Sequence, residues 1–270
     1  MDLALVNARG LVLLGCGKMG SAMLAGWLAR GVDPASVWVL DPHPSDWLTA
    51  TGVHINAGVP DAPAVVILAV KPQMMDAALP VLVPLGNGSV VFVSIAAGTP
   101  IAKFAALLGA QTPIIRAMPN TPAAVGRGIT ALIGNDHVSP DAMTLAEDLL
   151  SAVGQTLRLQ DESQMDAVTA LSGSGPAYVF HLIEAMADAG IQQGLSPEMA
   201  LHLARATVAG AGHLAENTTE DPSQLRVNVT SPGGTTAAAL SVLMDADTGF
   251  PALLSRAITA AADRSRELAK

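Results

Sequence analysis

The stretch that most restricts what this chain can fold into is LVLLGCGKMG, Leu11 to Gly20. Leu11–Leu14 is an unbroken apolar run, as expected of a strand buried on both faces of a parallel sheet. Gly15, Gly17 and Gly20 then set G-x-G-x-x-G where strand should turn into helix. In such a turn the first glycine permits the sharp bend and the second lets backbone approach a pyrophosphate. The third lets the new helix lie close to the strand. The helix, expected from Met19 to Arg30, would aim its N-terminal N–H groups and dipole at the phosphates, with Lys18 and Met19 at its mouth. A second expected strand, Ser36–Leu40, ends in Asp41, where an acidic side chain hydrogen-bonds a ribose 2′-hydroxyl. Strand before, helix after and acid downstream favour a dinucleotide site over a merely Gly-rich turn.

The residues leave the cofactor's 2′ group open. A carboxylate at Asp41 repels a 2′-phosphate and favours NAD(H). His43 and Ser45, in the Pro-rich turn that follows, could each donate a hydrogen bond to such a phosphate. Asp41 could also do no more than open that turn.

Further strands are expected at Pro63–Val70, Ser89–Ile95, Pro113–Met118 and Ile129–Ile133, with helices at Pro100–Leu108 and Asp141–Val153. This alternation predicts a parallel sheet with crossover helices. Lys71-Pro72 stops the third strand at its carboxyl end, where ligands of doubly wound sheets collect; Lys71 there suits a cofactor contact or a salt bridge equally. Two prolines bracket Asn120-Thr121 and should make a rigid loop. Met1–Gly10 shows no strong pattern.

From Asp161 onward the strand pattern disappears and Ala-rich helical segments replace it. Helices are expected at Met165–Leu171, broken at the Ser172–Gly175 SGSG, then from Pro176 to Gly190. Others should run from Pro197, with Ser196 as N-cap, to about Asn217, from Thr235 to about Asp245, and from Pro251 to Lys270. The fold class is therefore α/β: a Rossmann-type domain over residues 1–160, followed by an all-α domain over residues 161–270. Within the latter, VTSPGGTT (Val229–Thr236) is a rigid turn feeding a helix start. Free N–H groups of Gly233, Gly234, Thr235 and Thr236 there would suit a small carboxylate, and a threonine hydroxyl could reach a substrate nitrogen. The alternative is an ordinary capped helix start.

A net charge of −9 argues against nucleic acid or an anionic membrane as partner. The single Cys16 excludes an intramolecular disulfide framework and fits a reducing compartment. No apolar run reaches ~18 residues and no signal-peptide pattern opens the chain, so a soluble, cytoplasmic protein is expected. The six histidines are scattered, and no Cys/His spacing suggests a metal.

Six motifs give the chain a specific resemblance: GCGKMG, LAVKPQ at Leu68–Gln73, SIAAG at Ser94–Gly98, IRAMPNTP at Ile115–Pro122, ALSGSGPAY at Ala170–Tyr178 and VTSPGGTTAAAL at Val229–Leu240. In that order, over nearly the whole length, they make it resemble the pyrroline-5-carboxylate reductases, which reduce a cyclic imino acid to proline. The resemblance implies an NAD(P)H-binding Rossmann-type domain and a helical domain that interleaves with that of a second subunit. Dimers of the family often assemble further into larger rings, so the expectation for this chain is a homodimer that could build a decamer of dimers. It implies a substrate held between one subunit's nicotinamide and the SPGGTT turn. Thr236 would hydrogen-bond the imine nitrogen, and Ser231 with the backbone of Gly233–Thr236 would hold the carboxylate; Asn228 precedes that turn. Ala69, Val70, Lys71, Pro72 and Asn120 would line the cofactor, and Asn56 would lie near the adenosine ribose. Family members commonly carry a hydroxyl or another small residue where Asp41 and His43 stand, which implies NADP(H), with NAD(H) left open by Asp41. Val227 replaces an acidic residue that often precedes the asparagine. The competing readings are another imine or β-hydroxyacid reductase, whose interdomain lysine is not evident between residues 170 and 200, and a non-catalytic cofactor-sensing regulator.

Overall fold

The computed structural model describes residues 3–268. Its strands are β1 (Leu11–Leu14), β2 (Val37–Leu40), β3 (His54–Ile55), β4 (Val65–Leu68), β5 (Val91–Ser94), β6 (Ile114–Met118), β7 (Gly128–Gly134) and β8 (Gly154–Arg158). The helices are α1 (Leu3–Arg9), α2 (Lys18–Ala29), α3 (Asp46–Thr49), α4 (Met75–Ala78), α5 (Ile101–Leu108), α6 (Pro140–Leu150), α7 (Met165–Val168), α8 (Gly175–Gln192), α9 (Pro197–Glu216), α10 (Pro222–Asn228), α11 (Thr235–Leu243) and α12 (Phe250–Leu268). By compactness the chain divides into two units. The first runs to Gly173 and takes up the chain again from Ala262; the second is Ser174–Ala261.

All eight strands form one sheet in the first unit, ordered β3-β2-β1-β4-β5-β6-β7-β8. The apolar runs read from the sequence are its centre. Leu11 and Leu13 of β1, Val65 and Ile67 of β4, and Val91 and Val93 of β5 pack on one face, against Met23, Leu24 and Trp27 of α2 and Leu145 and Leu149 of α6. Val12, Leu14, Val66, Leu68 and Phe92 pack on the other, against Met75 of α4, Leu79 and Leu82 beyond it, and Phe104 of α5. A strand covered on both faces has no polar side to show, which is why these strands read as continuous rather than alternating. The indole of Trp27 also donates to the Leu149 carbonyl at 2.9 Å, joining α2 to α6.

The sheet is parallel as expected, with one pair of strands the exception. β7 pairs antiparallel with β6, through Ile115–Gly134 to Met118–Ala131. Only a short 3-10 turn, Thr121–Val125, lies between them. That is too little chain to carry a strand back across the sheet in the same direction, so it folds back on its neighbour. β8 then returns parallel to β7, after α6.

The edges escaped the hydrophobic pattern. β8 is a half-exposed edge strand, GQTLR, and β3 has two residues. Residues 1–10 contain a helix: α1 buries Val6 completely and stops at Gly10, whose φ of +92° suits a helix terminus. Met1 and Asp2 lie outside the described residues, as does Lys270, the expected end of the last helix. Helix α6 gives way at Leu150 to a 3-10 turn, Ser151–Val153.

The second unit, as described, is entirely helical. α9 starts as expected, with the Ser196 hydroxyl accepting from the Met199 N–H. It packs on α8 through Ala187, Ala200 and Ala204, where small side chains let the two backbones approach. α10 was not foreseen, although Asp221-Pro222 signals it: the Asp221 carboxylate caps the Ser223 N–H at 2.8 Å and Pro222 occupies the first turn. The expected break at Ser172–Gly175 takes the form of a π-helical turn, Thr169–Gly173, between α7 and α8.

Candidate functional site

The three loop glycines differ in what surrounds them. Gly15 has a φ of +90°, and a Cβ on it would stand 2.8 Å from Val70 Cγ1 and 3.1 Å from the Ala69 carbonyl. Gly20 lies so close under the loop that a Cβ would run into the Gly15 carbonyl oxygen. Both are required by the protein's own packing. Gly17 is not: its φ is −70°, and a Cβ there would meet nothing within 4 Å. Gly17 is also the N-cap of α2, and no side chain caps that helix. The open backbone face of Gly17, with Lys18 and Met19 beginning the helix behind it, fits a pyrophosphate. It stands beside the gap between β1 and β4, where the strand order reverses and doubly wound sheets bind ligands. Ala69, Val70, Lys71 and Pro72 leave the carboxyl end of β4 along the same gap, with Lys71 exposed.

Asp41 directly follows β2, with its carboxylate turned onto backbone. Oδ2 accepts the Cys16 N–H at 2.6 Å and Oδ1 accepts the His43 N–H at 2.8 Å. Asn56 grips the Asp41 peptide: its Oδ1 accepts the Asp41 N–H at 3.0 Å and its Nδ2 donates to the Asp41 carbonyl at 2.8 Å. Burial, with the Asp41 charge adding to it, pushes the Cys16 thiol up to about 11. The His43 side chain is exposed, and Ser45 caps α3 by accepting the Leu48 N–H. Asn120 is also used structurally, its Oδ1 accepting the Ile129 N–H at 2.9 Å and its Nδ2 donating to the Ser172 carbonyl in the π-helical turn at 3.2 Å.

One charged pair of this unit was not singled out from the sequence. Arg116 on β6 is 5% exposed, and its Nη1 lies 2.8 Å from Glu162 Oε1. The same oxygen accepts the Ile101 N–H at 2.9 Å, at the start of α5. Nη2 of Arg116 is buried without a partner among the described residues. The signal was a lone arginine inside the apolar strand PIIRAM, because a buried guanidinium requires an acidic partner somewhere in the chain.

In the second unit the SPGGTT turn leads into α11 as expected. Gly233 has a φ of +69°, and Gly234 is the N-cap, with no capping side chain. The expectation of four free N–H groups needs one correction, because the Gly234 N–H donates to the Ser231 carbonyl at 3.0 Å and closes the turn. Thr236 is half-buried, while Ser231, Gly233 and Thr235 are exposed. Asn228 ends α10 with its amide engaged, Nδ2 donating to Glu220 at 2.7 Å and Oδ1 accepting from Gln224 at 2.8 Å. Among the described residues no His, Cys, Asp and Glu side chains cluster to hold a metal, and no helix is long and apolar enough to cross a membrane.

Comparison with known proteins covers both units. The family described as "Pyrroline-5-carboxylate reductase dimerisation" matches residues 162–268, and that described as "NADP oxidoreductase coenzyme F420-dependent" matches residues 11–98. The pyrroline-5-carboxylate reductase of Pseudomonas aeruginosa is 43% identical over 96% of this chain and 97% of its own length. A solved pyrroline-5-carboxylate reductase from Coxiella burnetii superposes with a TM-score of 0.91 at 36% identity, covering 97% of this chain and 99% of that one. The Plasmodium falciparum pyrroline carboxylate reductase, solved with NADP bound, superposes with a TM-score of 0.84 at 28% identity, covering 98% and 99%.

Proposed function

The chain belongs to the pyrroline-5-carboxylate reductase family, and on that premise we propose that it reduces 1-pyrroline-5-carboxylate to L-proline, using NADPH in preference to NADH. The observation that carries the reading is Gly17. Its lack of a side chain serves nothing within the protein, yet it opens the N-terminus of α2 at the switch point of the sheet. When bound, the nicotinamide dinucleotide supplies the hydride. Gly15, Gly17, Lys18, Met19 and Gly20 would hold its pyrophosphate. Asp41, His43 and Asn56 would border the adenosine side, with Ala69–Pro72 and Asn120 along the rest.

The chain's own chemistry is modest because the substrate asks for little. A protonated cyclic imine is already electrophilic at carbon, so positioning and one hydrogen-bond partner suffice. Thr236 would hydrogen-bond the ring nitrogen through its hydroxyl. Ser231, with the N–H groups of Gly233, Thr235 and Thr236, would take the carboxylate at the start of α11; Gly234 contributes the turn and Asn228 fixes the segment before it. Residues 161–270 would form the substrate-binding and dimerisation domain of a cytoplasmic homodimer, able to build the larger rings of its family. Exposed Phe180, Leu203 and Leu214 on α8 and α9 support an apolar subunit contact. The test is steady-state oxidation of NADPH and of NADH with 1-pyrroline-5-carboxylate. Turnover, faster with NADPH, is expected; cofactor binding without turnover would refute the reading.

A further inference from the structure

A single carboxylate holds together the loops that leave β1 and β2. Asp41 spends Oδ2 on the amide of Cys16, inside the glycine loop, and Oδ1 on the amide of His43, in the next turn. Its own peptide is clamped on both sides by the Asn56 amide, and Asn56 adopts a left-handed φ of +52° while doing so. The Asn56 N–H donates to the Val39 carbonyl at 2.9 Å, which ties the clamp to β2, and the Gly15 N–H donates to the Leu40 carbonyl at 2.8 Å. An acid at the end of the second strand ordinarily faces a ribose and selects the cofactor. This one faces the protein, and its charge goes into two short charge-assisted bonds to backbone.

We propose that Asp41 is a positioning residue: it fixes the glycine loop through the Cys16 amide, so that the Gly17 face is formed before cofactor arrives, and it does not discriminate NADH from NADPH. The proposal rests on the dinucleotide reading above. The physical contrast is direct. A residue that reads the 2′ group changes the ratio of the two affinities, because the cofactors differ only there. A residue that shapes the pyrophosphate loop changes both affinities alike, because the pyrophosphate is common to both.

The experiment is direct titration of the full chain, without substrate, by calorimetry with NADPH and with NADH. In D41N the single amide oxygen can accept only one of the two N–H groups, and its NH2 confronts the other. Both dissociation constants should rise together, about tenfold or more, with their ratio unchanged within about twofold. N56A, which loosens the clamp without touching the carboxylate, should move both in the same direction by less. If D41N weakens NADH alone, or shifts the ratio about tenfold toward NADPH, Asp41 reads the ribose and the proposal is overturned. Unchanged affinity for both overturns it as well. If D41N does not fold, amide hydrogen exchange of the wild-type protein decides: without cofactor the Cys16 amide should be protected, and exchange at the rate of a free peptide overturns the clamp. Failure of the wild-type protein to bind either cofactor would refute the dinucleotide reading instead, and is told apart from these outcomes by the wild-type titration itself.

Discussion

Replacing Gly17 and Gly20 by alanine, one at a time, separates a glycine kept for a ligand from one kept for the fold. In G20A the new methyl would stand less than 3.0 Å from the Gly15 carbonyl oxygen, 3.3 Å from its carbon and 3.6 Å from Ala69 Cβ. Backbone rather than a flexible side chain is in the way, so α2 must move off the loop. Overpacking of this kind costs about 1–3 kcal/mol, against which alanine recovers up to about 1 kcal/mol of helix propensity. A net loss of about 1–2 kcal/mol is expected, with weaker cofactor binding because the loop shifts. In G17A nothing of the protein lies within 4 Å of the methyl, and the φ of −70° suits alanine. Stability should change by less than about 1 kcal/mol, the cost of a poorer N-cap. Yet the methyl occupies the face assigned to the pyrophosphate, and cofactor affinity should fall about ten- to a hundredfold, or roughly 1.4–2.8 kcal/mol. Urea unfolding and calorimetric titration measure the two quantities independently. The reasoning is refuted if G17A binds NADPH as tightly as the wild type, or if G20A is as stable and binds as well.

Removing Glu162 should be costlier than removing Arg116. E162A strands a buried guanidinium and an α5 amide, for about 3–5 kcal/mol, whereas R116M should lose clearly less; equal urea midpoints for the two variants would contradict this. T236A should slow imine reduction about ten- to a hundredfold, the worth of one hydrogen bond to a charged group, while NADPH titration is unchanged; full activity would remove Thr236 from its role. Cys16, raised from 9.0 to about 11, holds its proton through neutral and mildly alkaline pH, and the thiolate appears only as pH rises toward that value. At pH 8 iodoacetamide should alkylate it about a hundredfold more slowly than an unperturbed thiol, and labelling at the ordinary rate would show the site to be open.

The sequence by itself determined the centre of this protein. Runs such as LVLL and VVIL have no polar alternate positions, so as strands they must be covered on both faces, and a strand followed by G-x-G-x-x-G has one economical continuation. Capping chemistry is equally local, which is why Ser196 placed the start of α9 correctly. The tertiary structure decided whatever depends on residues distant in sequence. The direction of β7 follows from a turn too short to cross the sheet, and the pairing of β8 from a partner more than twenty residues away. Arg116 finds Glu162 across 46 residues. Asp41 is the clearest case. Its position at the end of β2 was legible, but a carboxylate in that position can face a ribose or its own glycine loop. Which way it turns is set by where the Cys16 amide and the Asn56 side chain lie in space, and neither is a local property of the chain.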